Sequence, residues 1–554
     1  MLKRFLTDWV VPPAALKLWR DLRRPSTQKF WSGAPLAAAP AEQAYFARHG
    51  LESCTLTRDD DSRSSGILAS TEARLELAGE GGDCAQLAIA TDAWTESDRI
   101  SVSAGGETTE HTGLSAAQWL DLRIPLAAAG NGIAVRSTRP VFVTMPRRVQ
   151  STAGGGSPHH VLVIVLDGMT PYLRQDPAAD PGLDPATPAI NRFFDGGYAA
   201  TNAWSTGEWT LPASSSLFTG LYTSRHRMWH PTAPQQMPDR ATLATRLQEA
   251  GYHTLALSTA NRLTPAYGSH RGFDRFIYHW PYPGHTARDY DPSRWCSEIL
   301  SHLDLHRHDR SFVYAHFPDT HPSWNVPPLT RAFNLRRRGS STGHDLDALR
   351  DHPSAKEQGR MLNAIRLQEL DLLLGGILDY IDRNLRGRVL VALTADHGTP
   401  WGALRSRRPE DEPYLVDHRS RIELRMRGPG VPQRYTDELC SPTIDLMPTL
   451  LALCGLEAPA DLDGRNLLAP DYRRDVVVTE SLYGSAYEVA VRDRAHTYIE
   501  KFPMDEALGR VLGPARYRKC FLRGAEDYGT ALDLDASTLA AAALAHRRAT
   551  SMTE

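Results

Sequence analysis

Three short motifs in the chain carry side chains that can bind a metal ion and activate a hydroxyl group. One apolar run ends in Asp167, and another ends shortly before Asp396 and His397. Between them, Thr210 stands two residues before a proline and opens a segment of small polar residues. A threonine hydroxyl needs a metal ion or a base before it can act as a nucleophile. Carboxylate and imidazole ligands near it therefore predict metal-assisted cleavage or transfer of a phosphate-type ester.

Further polar residues follow another apolar run or lie close to Thr210 in the sequence. Asp319 and His321 are candidate ligands of a second metal ion, and His321 is alternatively the general acid that protonates a leaving group. His418 is a candidate metal ligand or substrate contact. Arg225 and His226 are candidates for binding the anionic oxygens of a substrate. Each of these residues also has a simpler interpretation as a cap, turn or surface residue.

Composition excludes several classes of protein. The chain has 554 residues, 41% of them hydrophobic, and its net charge of −3 gives no reason to expect nucleic acid as a partner. Six scattered cysteines without a Cys-x-x-Cys pair argue against a disulfide framework or a structural zinc site. No apolar run is long enough to span a membrane, and the first residues make a poor signal peptide. We expect a cytoplasmic protein, with peripheral membrane contact as the alternative, and leave a homo-oligomer open.

The pattern along the chain predicts two folded regions and a tail. Short alternating strands between about 50 and 148 indicate an antiparallel β-sandwich, so 1–150 is predicted as a short helix and an accessory β-domain. After a Gly- and Ser-rich linker, apolar strands alternate with helices, which is typical of a doubly wound, mainly parallel α/β sheet. This catalytic domain is predicted over 158–530, with a small antiparallel subdomain near its end. An Ala-rich helix is expected in 531–554. In such sheets, ligands bind at the carboxyl ends of the strands.

Several ordered segments resemble the sulfatase-like branch of the alkaline phosphatase superfamily. They are TPAINRFF (187–194), TGLYTSRH (219–226), TLATRLQEAGYHT (242–254), GSHRGFD (268–274), SPTIDLMPTLLALCG (441–455) and LDGR (462–465). The resemblance implies the same α/β fold and a divalent metal ion, with Mn, Zn, Ca and Mg as candidates and one or two sites. It places Asp167, Asp396 and His397 among the metal ligands, Thr210 as nucleophile and further metal ligand, and His321 as the catalytic histidine.

The chain departs from true sulfatases at the nucleophile. Those enzymes carry Cys or Ser in a Cys/Ser-x-Pro-x-Arg motif, which is converted to formylglycine, whereas here Thr210, Pro212 and Ser214 occupy these positions. A threonine at the nucleophile position resembles the corresponding position of nucleotide pyrophosphatases/phosphodiesterases and of phosphoethanolamine or phosphoglycerol transferases. In the phosphodiesterases a second metal is held by Asp and His four residues apart, but Asp319 and His321 are two apart.

We therefore expect a hydrolase that cleaves a phosphate mono- or diester, or a phosphonate ester, through a covalent Thr210 intermediate. The expected substrate is a small molecule or a glycan- or lipid-linked phosphoester. Three alternatives stay open: a phosphoethanolamine- or phosphoglycerol-type transferase, a true sulfatase, and an inactive member that serves as a binding or scaffold protein.

Overall fold

The structure is a computed structural model that describes most of the chain. The described residues are 40–57, 62–78, 83–113, 119–126, 132–149, 158–170, 187–229, 237–258, 260, 263–278, 292–321, 355–399, 413–523 and 537–553. The predicted helix within 1–25 and the predicted linker at 151–157 lie outside these ranges.

The elements alternate between strands and helices through the middle of the chain. The strands are β1 Cys54–Thr57, β2 Ser62–Ala69, β3 Glu72–Glu76, β4 Cys84–Ala90, β5 Ile100–Ala104, β6 Glu107–His111, β7 Trp119–Pro125, β8 Gly132–Ser137, β9 Val141–Val143, β10 Arg147–Val149, β11 His160–Leu166, β12 Tyr198–Trp204, β13 His253–Ser258, β14 Arg275–Tyr278, β15 Ser311–Phe317, β16 Val389–Thr394, β17 Arg421–Arg427, β18 Arg434–Thr436, β19 Val477–Tyr483, β20 Ala486–Arg492, β21 His496–Asp505, β22 Arg510–Val511 and β23 Tyr517–Leu522. The helices are α1 Pro40–Arg48, α2 Pro188–Phe194, α3 Thr210–Thr219, α4 Thr223–His226, α5 Leu243–Glu249, α6 Pro292–Leu305, α7 Ala355–Asn384, α8 Asp417–Ser420, α9 Pro442–Leu453 and α10 Ser537–Ala549.

A parallel sheet forms the centre of the molecule. Five neighbouring strands run parallel in the order β14-β13-β15-β11-β16, and the antiparallel strand β17 follows β16. The strands β11, β15 and β16 are mostly apolar and are buried along their whole length, as expected for strands covered by helices on both faces. The predicted α/β fold with parallel central strands is confirmed, although the sheet as a whole is mixed. The carboxyl ends of β15, β11 and β16 consequently meet at one edge.

The N-terminal strands form two antiparallel layers around a second apolar core. One layer is the four-stranded sheet β3-β8-β5-β6, and the other contains β10, β4, β9 and β2. The second layer is continuous with the central sheet, because β2 pairs with β14. The predicted accessory β-sandwich is therefore not confirmed as a separate unit. Alternating strands show which local faces are buried, but they do not show whether a strand pairs beyond its own region.

The C-terminal part contains an antiparallel sheet, as expected. Strands β19 to β23 form this five-stranded sheet, and α10 packs on β20 and β21. The predicted tail helix is thus present as α10. Within the described residues, no helix is both long and apolar enough to cross a membrane.

Candidate metal centre and nucleophile

Two predicted carboxylates meet where adjacent strands end. Asp167 directly follows β11, and Asp396 lies two residues after the end of the neighbouring parallel strand β16. The N–H of Asp167 donates to the carbonyl of Phe317 at the end of β15, with a donor–acceptor distance of 2.8 Å. The sheet register therefore brings residues that are far apart in sequence to one point on its edge, where ligands bind in α/β folds.

The two carboxylates surround the His397 ring. Asp396 Oδ1 accepts hydrogen bonds from the N–H groups of Gly168 (3.0 Å) and His397 (2.8 Å). Nε2 of His397 lies 3.3 Å from Asp167 Oδ1 and 3.6 Å from Asp396 Oδ2. Both carboxyl groups are buried. Two negative charges are thus held close together, away from water, with one imidazole between them.

These residues fit a divalent cation. Asp167 Oδ1 and His397 Nε2 are both buried, and among the described residues neither has a well-aligned hydrogen bond besides their mutual contact at 3.3 Å. Leaving such atoms unsatisfied is costly, and two facing carboxylates repel each other unless a cation lies between them. A mixed set of carboxylate and imidazole ligands suits zinc or manganese. Asp167, Asp396 and His397 would hold the ion.

Gly168 allows the ligands to approach closely. Its φ is +66°, a left-handed conformation that favours glycine. A Cβ atom at this position would lie 2.7 Å from the hydroxyl oxygen of Thr399 and within 3.5 Å of the rings of His321 and His397. The hydroxyl of Thr399 donates to the Gly168 carbonyl at 2.7 Å. The Asp-Gly sequence is therefore a steric requirement of this turn.

Two further histidines lie in this cluster. The candidate ligand atoms of His321, Asp167 and His397 lie within 4.8 Å of one another, so the structure brings the predicted His321 to the site. His316, which the sequence analysis did not select, is fully buried in β15. Its Nε2 lies 3.5 Å from Asp396 Oδ2 and 4.0 Å from Asp167 Oδ2. Its only signal in the sequence is a single imidazole in an apolar strand, one residue before the strand ends.

The charges in this cluster shift the pKa values of its members. Burial alone would lower the pKa of His397, but Asp396 and Asp167 raise it to about 9. Burial would raise the pKa of Asp396, but His397 and His316 hold it below its usual range. Burial lowers the pKa of His321. Burial would also lower the pKa of His316, but its hydrogen bond to Asp396 and the nearby carboxylate charges raise it overall. In the absence of metal, a proton on His397 therefore offsets part of the carboxylate charge.

Thr210 is the first residue of helix α3, and its neighbours tie the segment to the cluster. Ser205 Oγ donates to the backbone carbonyl of Asp396 at 2.6 Å. One turn into the helix, Ser214 Oγ accepts a 3.5 Å hydrogen bond from Tyr314 on β15. The N-cap residue, Trp209, makes no side-chain cap hydrogen bond, and Thr210 is half-buried. The helix N-terminus is thus left without the side-chain oxygen that usually binds its N–H groups.

The predicted substrate contacts Arg225 and His226 have protein partners. Arg225 forms an ion pair with Asp463 at 2.8 Å. His226 is fully buried, and burial lowers its pKa to about 3. Its Nδ1 accepts the N–H of Met228 at 3.1 Å, so Nε2 carries the proton and donates to the carbonyl of Pro212 at 3.2 Å. His226 therefore binds the backbone of the first turn of α3. Its role as a substrate contact stays a prediction.

Asp319 and His418 are not brought into the ligand groups found among the described residues. Asp319 is buried near Arg366. Burial lowers the pKa of Arg366, and the negative charge of Asp319 offsets part of this shift. His418 lies in α8, and its backbone oxygen would be 2.2 Å from a Cβ atom on Gly398. Their predicted role as metal ligands stays untested.

Comparison with known proteins decides the family. The sequence model of the Sulfatase family matches residues 159–456, which is more than half of the chain. This range includes Thr210 and the cluster around Asp167, Asp396 and His397. The chain belongs to the sulfatase family. A Caenorhabditis elegans protein named as an extracellular sulfatase Sulf-1 homolog is 24% identical over 378 residues, 59% of this chain and 51% of that protein. This sulfatase-family chain thus spans about half the length of that relative.

Solved structures show the same fold. The phosphonate monoester hydrolase of Silicibacter pomeroyi superposes with a TM-score of 0.54 at 18% identity, covering 71% of this chain and 95% of the hydrolase. A protein solved with its substrate D-glucosamine-2-N,6-O-disulfate gives a TM-score of 0.51 at 12% identity, covering 71% of this chain and 98% of that one. At these identities the likeness extends to the fold alone. The family match, by contrast, assigns the chain to the sulfatase family.

Proposed function

We propose that this sulfatase-family hydrolase cleaves a phosphate mono- or diester, or a phosphonate ester, through a covalent intermediate on Thr210. The substrate class is a small molecule or a glycan- or lipid-linked phosphoester. One of the similar structures contains a sulfated glucosamine as its substrate, which supports a sugar-linked ester.

The observation that most supports this proposal is the position of Thr210 at the N-terminus of helix α3. Thr210 begins α3, and its N-cap residue Trp209 makes no side-chain cap hydrogen bond. Pro212 has no N–H, so the N–H groups of Thr210 and Leu211, together with the helix dipole, would favour an anion such as a phosphoryl group. The preceding loop is bound to Asp396 through Ser205, so the hydroxyl and the metal ligands belong to one connected structure.

The identity of the nucleophile favours phosphorus over sulfur as the centre attacked. Formylglycine is formed from Cys or Ser, and Thr210 offers neither. Ser214 also stands where the sulfatase motif has arginine. The fold shared with a phosphonate monoester hydrolase is consistent with this choice. Sulfate ester hydrolysis is the second candidate, because the curated relative is named as a sulfatase.

The proposed reaction gives Thr210 and His321 separate roles. The Thr210 hydroxyl releases its proton to solvent, its oxygen attacks phosphorus, and the bond from phosphorus to the leaving oxygen breaks. His321, in its protonated form, gives a proton to that leaving oxygen. Water then attacks the phosphothreonine and returns a proton to His321. The bond from phosphorus to the Thr210 oxygen breaks, this oxygen takes up a proton, and phosphate, a phosphate monoester or phosphonate leaves. A bound divalent ion would lower the pKa of the hydroxyl and offset charge on the attacked group.

The test is a comparison of four aryl esters: p-nitrophenyl phosphate, bis-p-nitrophenyl phosphate, a phenylphosphonate ester and p-nitrophenyl sulfate. Wild type, Thr210→Ala and Thr210→Ser are assayed with Mn²⁺, Zn²⁺, Ca²⁺ or a chelator. We expect metal-dependent cleavage of a phosphorus ester that is abolished in Thr210→Ala and partly kept in Thr210→Ser.

Other outcomes of this assay are equally informative. Sulfate cleavage without phosphorus ester cleavage would overturn the proposed ester class. Unchanged turnover in Thr210→Ala would overturn the proposed nucleophile. Phosphothreonine at residue 210, trapped with substrate and found by mass spectrometry, would directly support the covalent step.

A further inference from the structure

The segment that carries Thr210 is bound on its N-terminal side by strand β19 of the C-terminal sheet. Thr479 Oγ1 donates to the carbonyl of Ser205 at 2.7 Å, and the Glu480 N–H donates to the carbonyl of Thr206 at 2.9 Å. Ser481 Oγ donates to the buried carboxylate of Glu208 at 2.6 Å. Three consecutive residues of β19 therefore bind the loop that leads directly into Thr210.

The side chain of Glu480 binds the same segment on its other side. Its Oε2 accepts two hydrogen bonds of 2.9 Å from Ser224, one from the N–H and one from the hydroxyl. Ser224 lies in the one-turn helix α4, which follows α3. His226 in that turn donates to the carbonyl of Pro212 in the first turn of α3. Glu480 thus contacts the loop before the nucleophile helix and the turn after it.

Glu480 is itself fixed by the C-terminal helix. Its Oε1 lies 2.9 Å from Nε2 of His546 on α10 and accepts a 2.9 Å hydrogen bond from Tyr487. The carboxylate is fully buried; burial raises its pKa, but His546 and Ser224 lower it overall, so it stays charged. A buried carboxylate that accepts four hydrogen bonds is held in one position, and it holds the groups that donate to it in place.

We propose that Glu480 is a positioning residue for Thr210, through which the C-terminal sheet and helix α10 hold the nucleophile segment in place. Glu480 and His546 both lie beyond residues 159–456, which match the family. The C-terminal region therefore completes the site instead of merely packing against it. For its kinetic test, this inference rests on the proposed function, since turnover of a phosphorus ester is one readout.

Glu500 provides a matched control for this proposal. It is a buried carboxylate of the same sheet, and it also binds helix α10, through Arg547 at 3.2 Å. Its other ion-pair partner is Arg518 at 3.0 Å. The hydrogen bond that it accepts from Tyr498 and its two ion pairs all lie within the C-terminal sheet and α10, away from the segment from Ser205 to Ser224. Glu480→Gln and Glu500→Gln thus remove comparable charges, but only the first affects a contact of the nucleophile segment.

Both variants are assayed well below their unfolding temperatures, with bound metal measured in each. We expect Glu480→Gln to lower kcat by about tenfold or more while KM and metal content stay close to wild type, since small displacements of a nucleophile are costly. Glu500→Gln should keep its kcat. Ser224→Ala should lower kcat less, and its effect should not add to that of Glu480→Gln, because both remove the same contact.

Amide hydrogen exchange over residues 205–224 supplies a readout that does not depend on turnover. We expect faster exchange there in Glu480→Gln and wild-type rates in Glu500→Gln. Equal kcat and equal exchange in the two variants would overturn the positioning role. If the wild type cleaves none of the esters, the proposed function fails, and the exchange experiment still decides the inference about Glu480.

Discussion

Two buried clusters of histidine and carboxylate side chains differ in what balances their charge. The strand-end cluster consists of Asp167, Asp396, His316, His321 and His397. The interface cluster consists of His253, His302, His306 and Asp309, and it lies where the N-terminal layers meet the central sheet. Each contains at least one set of three residues whose candidate ligand atoms lie within 4.8 Å of one another; in the interface cluster this set is His253, His306 and Asp309. Proximity alone therefore does not distinguish them.

Arginines already neutralise the carboxylates beside the interface cluster. Arg123 forms an ion pair with Asp309 at 3.4 Å, and Arg275 forms one with Asp121, which lies 3.9 Å from His306. The rings of His253 and His306 are stacked at a centroid distance of 4.1 Å, with an interplanar angle of 16°. Parallel stacked rings do not direct their lone pairs at one shared ion. This cluster is packed as neutral rings.

The pKa values express the same difference. Burial lowers the pKa of His253, His302 and His306 to about 3 each, whereas the carboxylates around His397 raise its pKa to about 9. The strand-end cluster attracts positive charge, and the interface cluster excludes it. Of these two clusters, the strand-end cluster is therefore the one that we expect to bind a metal ion.

Asp396→Asn is the substitution with the largest expected effect. It removes a charge that would bind the ion while keeping the shape of the side chain, so bound metal should fall to background. Loss of the ion's charge stabilisation, worth several kcal/mol, should lower kcat by about a thousandfold. Metal content by mass spectrometry and turnover of the preferred ester measure the two effects.

His306→Gln is the matched control from the interface cluster. It should leave both metal content and kcat at the wild-type level. If His306→Gln lost bound metal, or if Asp396→Asn kept it, the assignment of the two clusters would be wrong.

His316→Gln has a smaller expected effect. His316 contacts Asp396 Oδ2, so it orients a ligand, and loss of such a contact typically weakens metal binding by about 10–100-fold. Competition with a chromophoric chelator measures the dissociation constant directly. An unchanged dissociation constant would show that His316 fills space in β15 without affecting the ion.

Local pattern predicted those parts of the molecule that depend on neighbours in sequence. Apolar runs ending in Asp167 and Asp396-His397 indicated parallel strands with ligands at their ends, and the two runs do form neighbouring parallel strands. His316 was missed because its role depends on Asp396, which lies two residues beyond the end of a different strand, β16. The pairing of β2 with β14, which joins the N-terminal layers to the central sheet, depends likewise on residues far apart in sequence.

The same limit applies to the supporting residues. Nothing in the sequence near Glu480 indicates that it binds Ser224, more than 250 residues earlier. The interface cluster could not be predicted either, because Gln86 of β4 meets His253 only in the folded chain. Side-chain roles that arise from non-local contacts need the structure.

Acid should destabilise the protein by protonating the histidines of the interface cluster. The loss of stability expected for each histidine is the smallest of the predicted effects. The folded pKa of each of its three histidines, about 3, lies below the ordinary value of 6.5, so the unfolded chain binds more protons between these values. Their stabilising effect is complete above about pH 6.5 and is lost as the pH falls towards 3. Each contributes at most about 1.4 kcal/mol per pH unit. Urea unfolding of metal-loaded wild type and His306→Gln between pH 5 and pH 8, roughly spanning the histidine range, should therefore show a shallower acid slope in the variant and parallel curves above neutrality. Equal acid slopes would mean that His306 is protonated in the folded protein, and the contrast between the two clusters would fail.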